Sequence, residues 1–143
     1  MKGPLQDSRR LRFLGWLVAT NVLSTVLHYV DNVLSFPEYP EPAWATPLLV
    51  DAFWFLMTPF AAAGYGFFAR GRPCLGGAPL LAFSAMSLLS LGHCLYAPMC
   101  SVSPRINAFI LFEAGCAIVL VASVFTLLAR PASRHDRRPK SFT

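Results

Sequence analysis

"PRINAFILFEAGCAIVLVASVFTLLA", residues 104–129, is an apolar run with one carboxylate, Glu113, near its middle. About 18 apolar residues are enough for a helix to cross the hydrocarbon of a bilayer, and this run is longer. Three further runs lie upstream, at about 11–35, 47–68 and 77–96. They are separated by "SFPEYPEPAWA" (35–45), "ARGRPCLG" (69–76) and "APMCSVSP" (97–104), all dense in residues that break helices and form turns.

Composition agrees with a chain built for lipid. Hydrophobic residues make up 55% of the 143 and charged residues only 13%, about half the charged share of an ordinary soluble domain. The predicted fold is an all-α integral membrane four-helix bundle running up-down-up-down. A four-span transmembrane domain over 1–130 precedes a basic tail over 131–143. The first run is too long for the core of a cleaved signal and is read as a retained span.

Cations set the expected orientation, because Lys and Arg near span ends stay on the cytoplasmic side. Lys2, Arg9, Arg10 and Arg12 precede span 1, Arg70 and Arg72 lie between spans 2 and 3, and Arg130, Arg134, Arg137, Arg138 and Lys140 follow span 4. Only Arg105 falls on the other side. Both termini are therefore expected to be cytoplasmic, in either a bacterial inner membrane or the endoplasmic reticulum. The net charge of +5 then follows from topology and gives no reason to expect nucleic-acid binding. The tail suits contact with anionic membrane lipids, and His135 within it is expected to be solvated. Cys74, Cys94, Cys100 and Cys116 form no C-x-x-C pair, which argues against a thiol-redox enzyme.

Helix starts are legible. Thr46-Pro47 and Ser103-Pro104 each offer a capping hydroxyl followed by proline at the first helical position, where no hydrogen bond is lost. Pro59 lies inside span 2, and the small residues of "AAAGYG" (61–66) after it favour a close approach of helices. Trp44 and Tyr39 are expected as anchors at headgroup depth.

Polar residues recur at helical spacing. Asn21, Ser24, Thr25, His28, Asp31 and Asn32 share one face of span 1. Asp51, Trp54, Thr58 and Tyr65 do so in span 2, and span 3 carries Ser84, Ser87, Ser90, His93 and Tyr96. Span 4 adds Asn107 and Glu113, the latter roughly 12 to 14 Å below its helix start at about 1.5 Å per residue. In an alternating bundle these groups collect in the outer half, where lipid exposure would cost several kcal/mol. One shared polar cavity is the simplest arrangement. Its expected acid–base residues are His28 and Glu113, and its expected ligand-binding residues are Asp31, Asn32, Asp51, Trp54, His93, Tyr96 and Asn107.

The four-span layout with cytoplasmic ends, His28 and Asp31 in span 1, "YPEPAW" (39–44) leading to Asp51, and a proline followed by "AAAGYGFFARG" (61–71) resemble the EXPERA family of sterol isomerases and sigma-type receptors. The likeness covers about the first 90 residues. It implies a lipophilic, sterol-like or amine-bearing small molecule as ligand, carboxylate contacts from Asp31 and Asp51, and acid–base work by His28 and Glu113. Two other readings stay open. His28, His93 and Glu113 also suit a metal ion or haem in a bundle core, although no H-x-x-x-H or E-x-x-H motif is present. A homo-oligomer, or a scaffold subunit of a membrane complex, would use the same polar groups only to fix its packing.

Overall fold

The computed structural model describes residues 4–129. The basic tail, with His135 and its arginines, lies outside the described residues, as does Lys2.

Among the described residues every regular element is helical. The long helices are α1 (Pro4–Leu34), α2 (Pro47–Ala69), α3 (Pro73–Leu88) and α5 (Pro104–Leu128), and α4 is one turn, His93–Tyr96. Four segments are long and apolar enough to cross a membrane, Ser8–Leu34, Pro47–Ala69, Pro73–Tyr96 and Pro104–Leu128. Large apolar side chains such as Phe13, Trp16, Leu34, Phe55 and Leu95 stand exposed on their surfaces. Exposed apolar surface on this scale needs a covering in a water-soluble chain, and a bilayer supplies one.

Helix ends form where the sequence caps them. Thr46 Oγ1 accepts from Leu49 N and Ser103 Oγ accepts from Ile106 N, both at 3.3 Å, each with proline next in the chain. α2 runs through Pro59 as one helix, and Thr58 Oγ1 donates to the Trp54 carbonyl at 2.8 Å. Its end is set by Gly71, whose φ of 70° only glycine adopts without strain. Arg72 N then reaches Phe67 O and Gly71 N reaches Phe68 O, the paired bonds that close a helix with a left-handed residue. Pro73 follows at the start of α3, so the third span begins earlier than the expected residue 77. Proline can open a helix there without losing a bond, and Gly76 and Gly77 are absorbed into its first turns.

α1 and α3 each pack against α2 and α5, which closes the four long helices into a bundle. At one end the core is wholly apolar, with Leu14 and Val18 from α1, Met57 and Ala61 from α2, Leu80 and Phe83 from α3, and Leu120 and Val124 from α5. The close approach expected of "AAAGYG" is made at Gly64 of α2. A Cβ there would stand 2.5 Å from Leu80 Cγ, and one on Gly76 would stand 2.7 Å from the Gly64 carbonyl oxygen.

Beyond Leu88 the third span tightens into a 3-10 segment, Leu89–Gly92, before α4. A change of helix type inside a span is a common mark of a working site. Here it lies next to the polar end of the bundle.

Candidate functional site

The polar stripe of α1 is turned inward. Asn21, Ser24, Thr25, His28 and Asn32 are all buried, as a polar face must be when its alternative is lipid. His28 Nδ1 is bonded to Glu113 Oε2 of α5, with both side chains buried. This contact joins two groups 85 residues apart, and Ser87 of α3 faces the same carboxyl group.

Around His28 the aromatic rings are in direct contact. Tyr39 stacks on it at 5.7 Å, and the His93 ring meets it edge-on at 5.5 Å. His93 Nδ1 lies 3.4 Å from the Pro40 carbonyl and 3.7 Å from Glu41 Oε1. Glu41 Oε1 also accepts from Asn32 Nδ2 at 2.6 Å. The connection between α1 and α2 therefore folds down onto the end of the bundle and supplies Tyr39 and Glu41 to the site.

A second network holds this connection in place. Arg105, at the start of α5, lies 3.0 Å from Asp31 Oδ1 and 3.2 Å from Glu38 Oε2, and donates to Ser35 Oγ at 2.9 Å. Tyr39 donates its phenol hydrogen to Asp31 Oδ2 at 2.8 Å. Burial, and next the Asp31 carboxylate, raise the Tyr39 pKa above its ordinary value, with Arg105 opposing weakly. A raised folded-state value favours the native state below the unfolded phenol pKa of about 10 and loses that contribution as pH climbs further. Stability should thus decline above pH about 10, and Tyr39→Phe should flatten the decline. An unaltered alkaline slope in thermal melts of Tyr39→Phe would refute this.

Beside these groups lies a cavity of about 550 Å³, between α1, the start of α2, the 35–46 connection and the end of the third span. Its polar end is formed by His28, Asn32, Glu41, Ser90 and His93, and its walls include Tyr29, Trp44, Leu49, Phe53, Leu56 and Tyr96. That size falls within the roughly 300–1,000 Å³ of small-molecule sites, as does the pattern of apolar walls with a few convergent polar groups.

His28, Asn32, His93 and Tyr96 line the cavity, and Tyr96 is exposed at its mouth. Glu113 lies behind His28 and reaches the cavity only through that ring. Asp31 belongs to the Arg105 network instead. Other placements also differ from expectation. Asp51 is exposed and lies outside the cavity lining; one turn into α2, it gains from the helix dipole. Trp54 donates its indole N–H to Thr25 Oγ1 at 3.2 Å, a helix–helix tie. Asn107 donates to the carbonyls of Met99 and Val102 and closes the preceding loop. Tyr39 is buried rather than interfacial, drawn inward by Asp31 and the His28 ring, whereas Trp44 is exposed.

Among the described residues no group of three or more His, Cys, Asp or Glu is placed to hold a metal ion. The set His28, His93 and Glu113 does not converge on a point, because His28 turns Nδ1 onto the carboxylate. The touching histidine rings also leave no gap for a porphyrin. The four cysteines are free.

Glu41, Tyr39 and Arg105 escape a reading by helical period. The available signal was an acidic residue set among prolines in a short connection over a polar bundle end. Comparison with family models, with curated proteins and with solved structures gives no match to this chain.

Proposed function

We propose that the chain is a polytopic membrane protein whose spans alternate up-down-up-down with both termini cytoplasmic, and that its cavity binds a lipophilic small molecule, sterol-like or amine-bearing. The orientation rests on the cations and the short connections. The binding reading rests on one observation, the roughly 550 Å³ cavity with apolar walls and a polar end made by His28, Asn32, Glu41 and His93.

Histidine bonded to a buried carboxylate can take up and return a proton, so His28 with Glu113 gives the site acid–base capacity toward a bound head group. The likeness to EXPERA proteins favours the same class of ligand, with isomerisation as the reaction that a shared proton would serve. In that reading Asp51 is relieved of its ligand contact, and Glu41 is the carboxylate nearest the ligand.

Mass spectrometry of lipids that co-purify with the full chain tests the proposal. Gly92 lines the cavity, a Cβ there meets nothing within 4 Å, and its φ of −57° suits any residue. Gly92→Leu should therefore keep the fold and fill the space. The wild type and Asp51→Asn are expected to retain the same lipophilic species, and Gly92→Leu to lose it. Equal retention by Gly92→Leu, at equal thermal stability, would overturn the assignment.

A further inference from the structure

Three buried polar atoms, each on a residue that lines the cavity, have no hydrogen-bond partner among the described residues: His28 Nε2, Asn32 Oδ1 and Ser90 Oγ. None of the three residues is more than 8% exposed. A buried polar atom left unpaired is costly, so native proteins pair nearly all of them. Three on one lining point to a group that the bound state supplies.

The chemistry of that group can be read from Asn32. Its amide nitrogen donates to the Glu41 carboxylate, and a carboxylate accepts only from a donor. The amide is thereby oriented, and the atom left over is the carbonyl oxygen, which can only accept. Ser90 Oγ accepts or donates by rotation. His28 Nε2 can also play either part: it accepts when Nδ1 carries the ring's single proton, and donates when the proton on the Nδ1–Glu113 contact belongs to the carboxyl group or the ring is charged. The one group with a fixed role therefore requires a donor.

Charge points the same way. Among the described residues no Lys or Arg lines the cavity, and Glu41 is its only carboxylate, with Glu113 directly behind His28. An anionic head would meet two acidic groups in a poorly screened site.

We propose that the polar end of the cavity takes a head group that donates hydrogen bonds, an alcohol or an amine, and rejects heads that only accept them or carry negative charge. The proposal rests on the ligand-binding reading above and specifies the ligand that site admits. A site built to bond a donor discriminates strongly against the analogue without it, because its own buried atoms are then left unpaired.

The test uses the purified full chain and matched probes on two skeletons, a long alkyl chain and a sterol. Each skeleton carries in turn a hydroxyl, a primary amine, a methyl ether and a carboxylate. Binding is read directly with the tritiated alcohols and by competition with the others. On at least one skeleton the alcohol or the amine should bind at least about tenfold more tightly than the ether, with the carboxylate weaker still. Whether hydroxyl or amine leads identifies which donor the site prefers. Asn32→Leu and, separately, Ser90→Ala should narrow the gap between alcohol and ether while leaving ether binding in place.

Equal binding of all four heads, blocked by Gly92→Leu, would overturn the head-group proposal and leave the lipophilic cavity standing. Failure of every probe on both skeletons to bind the wild type would overturn both.

Discussion

Glu113→Leu alone is expected to lower stability by about 3–5 kcal/mol, as is His28→Leu alone, and the double replacement by much less than their sum. The reason is where the pair sits. Glu113 is fully buried and His28 nearly so, and the two are bonded directly to each other, Nδ1 to Oε2. Removing one member leaves a polar group in a water-poor interior with nothing to bond, and that desolvation dominates the cost. Removing both replaces the pair with packed hydrocarbon, which in buried ion pairs is often neutral or better. Chemical unfolding of the four proteins in detergent, set out as a double-mutant cycle, measures the coupling. If the single replacements prove as mild as the double, the two residues are not a unit, and the acid–base reading falls with them.

Gly76→Ala and Gly64→Ala are each expected to lose about 1–3 kcal/mol, the usual cost of overpacking a tight contact. On Gly76 the added carbon would lie 2.6 Å from Phe68 Cδ2 and 2.7 Å from the Gly64 carbonyl oxygen; on Gly64 it would lie 3.0 Å from Leu80 N. Phe68 can turn, but backbone atoms cannot move without separating α2 from α3. Since both substitutions strain one contact, the double variant should lose less than the sum. Gly115→Ala is the control. Nothing lies within 4 Å of its Cβ position, and alanine is the better helix former by about 1 kcal/mol. Thermal melts of the four proteins check the order, and a Gly76→Ala protein as stable as Gly115→Ala would show that the helices do not meet so closely.

Much of the bundle was legible because a span carries its own ruler. Apolar runs gave four crossings, and steps of three and four gave the inward face of α1 from Asn21 to Asn32. Depth along α5 marked Glu113 as a group in need of a partner. What period cannot provide is the rotation of one helix against the next, so the bond from His28 to Glu113 appears in no single segment. Phase also fails near a helix start: Asp51, one turn into α2, fits the stripe with Trp54 by count yet is exposed, since the end of a span lets a carboxylate turn outward. Connections carry no period at all. Tyr39 therefore reads as an anchor and Glu41 as part of a turn-forming connection, although Tyr39 stacks on His28 and Glu41 lines the cavity.

The tightened segment Leu89–Gly92 has a mechanical consequence. A 3-10 residue turns about 120° and advances about 2.0 Å, against about 100° and 1.5 Å for an α residue. Rewinding those four residues as α-helix would twist the chain beyond by about 80° and pull it back by about 2 Å. That swing would carry His93 off both Glu41 and the His28 ring. The torsion held in this one turn thus sets whether the two imidazoles meet.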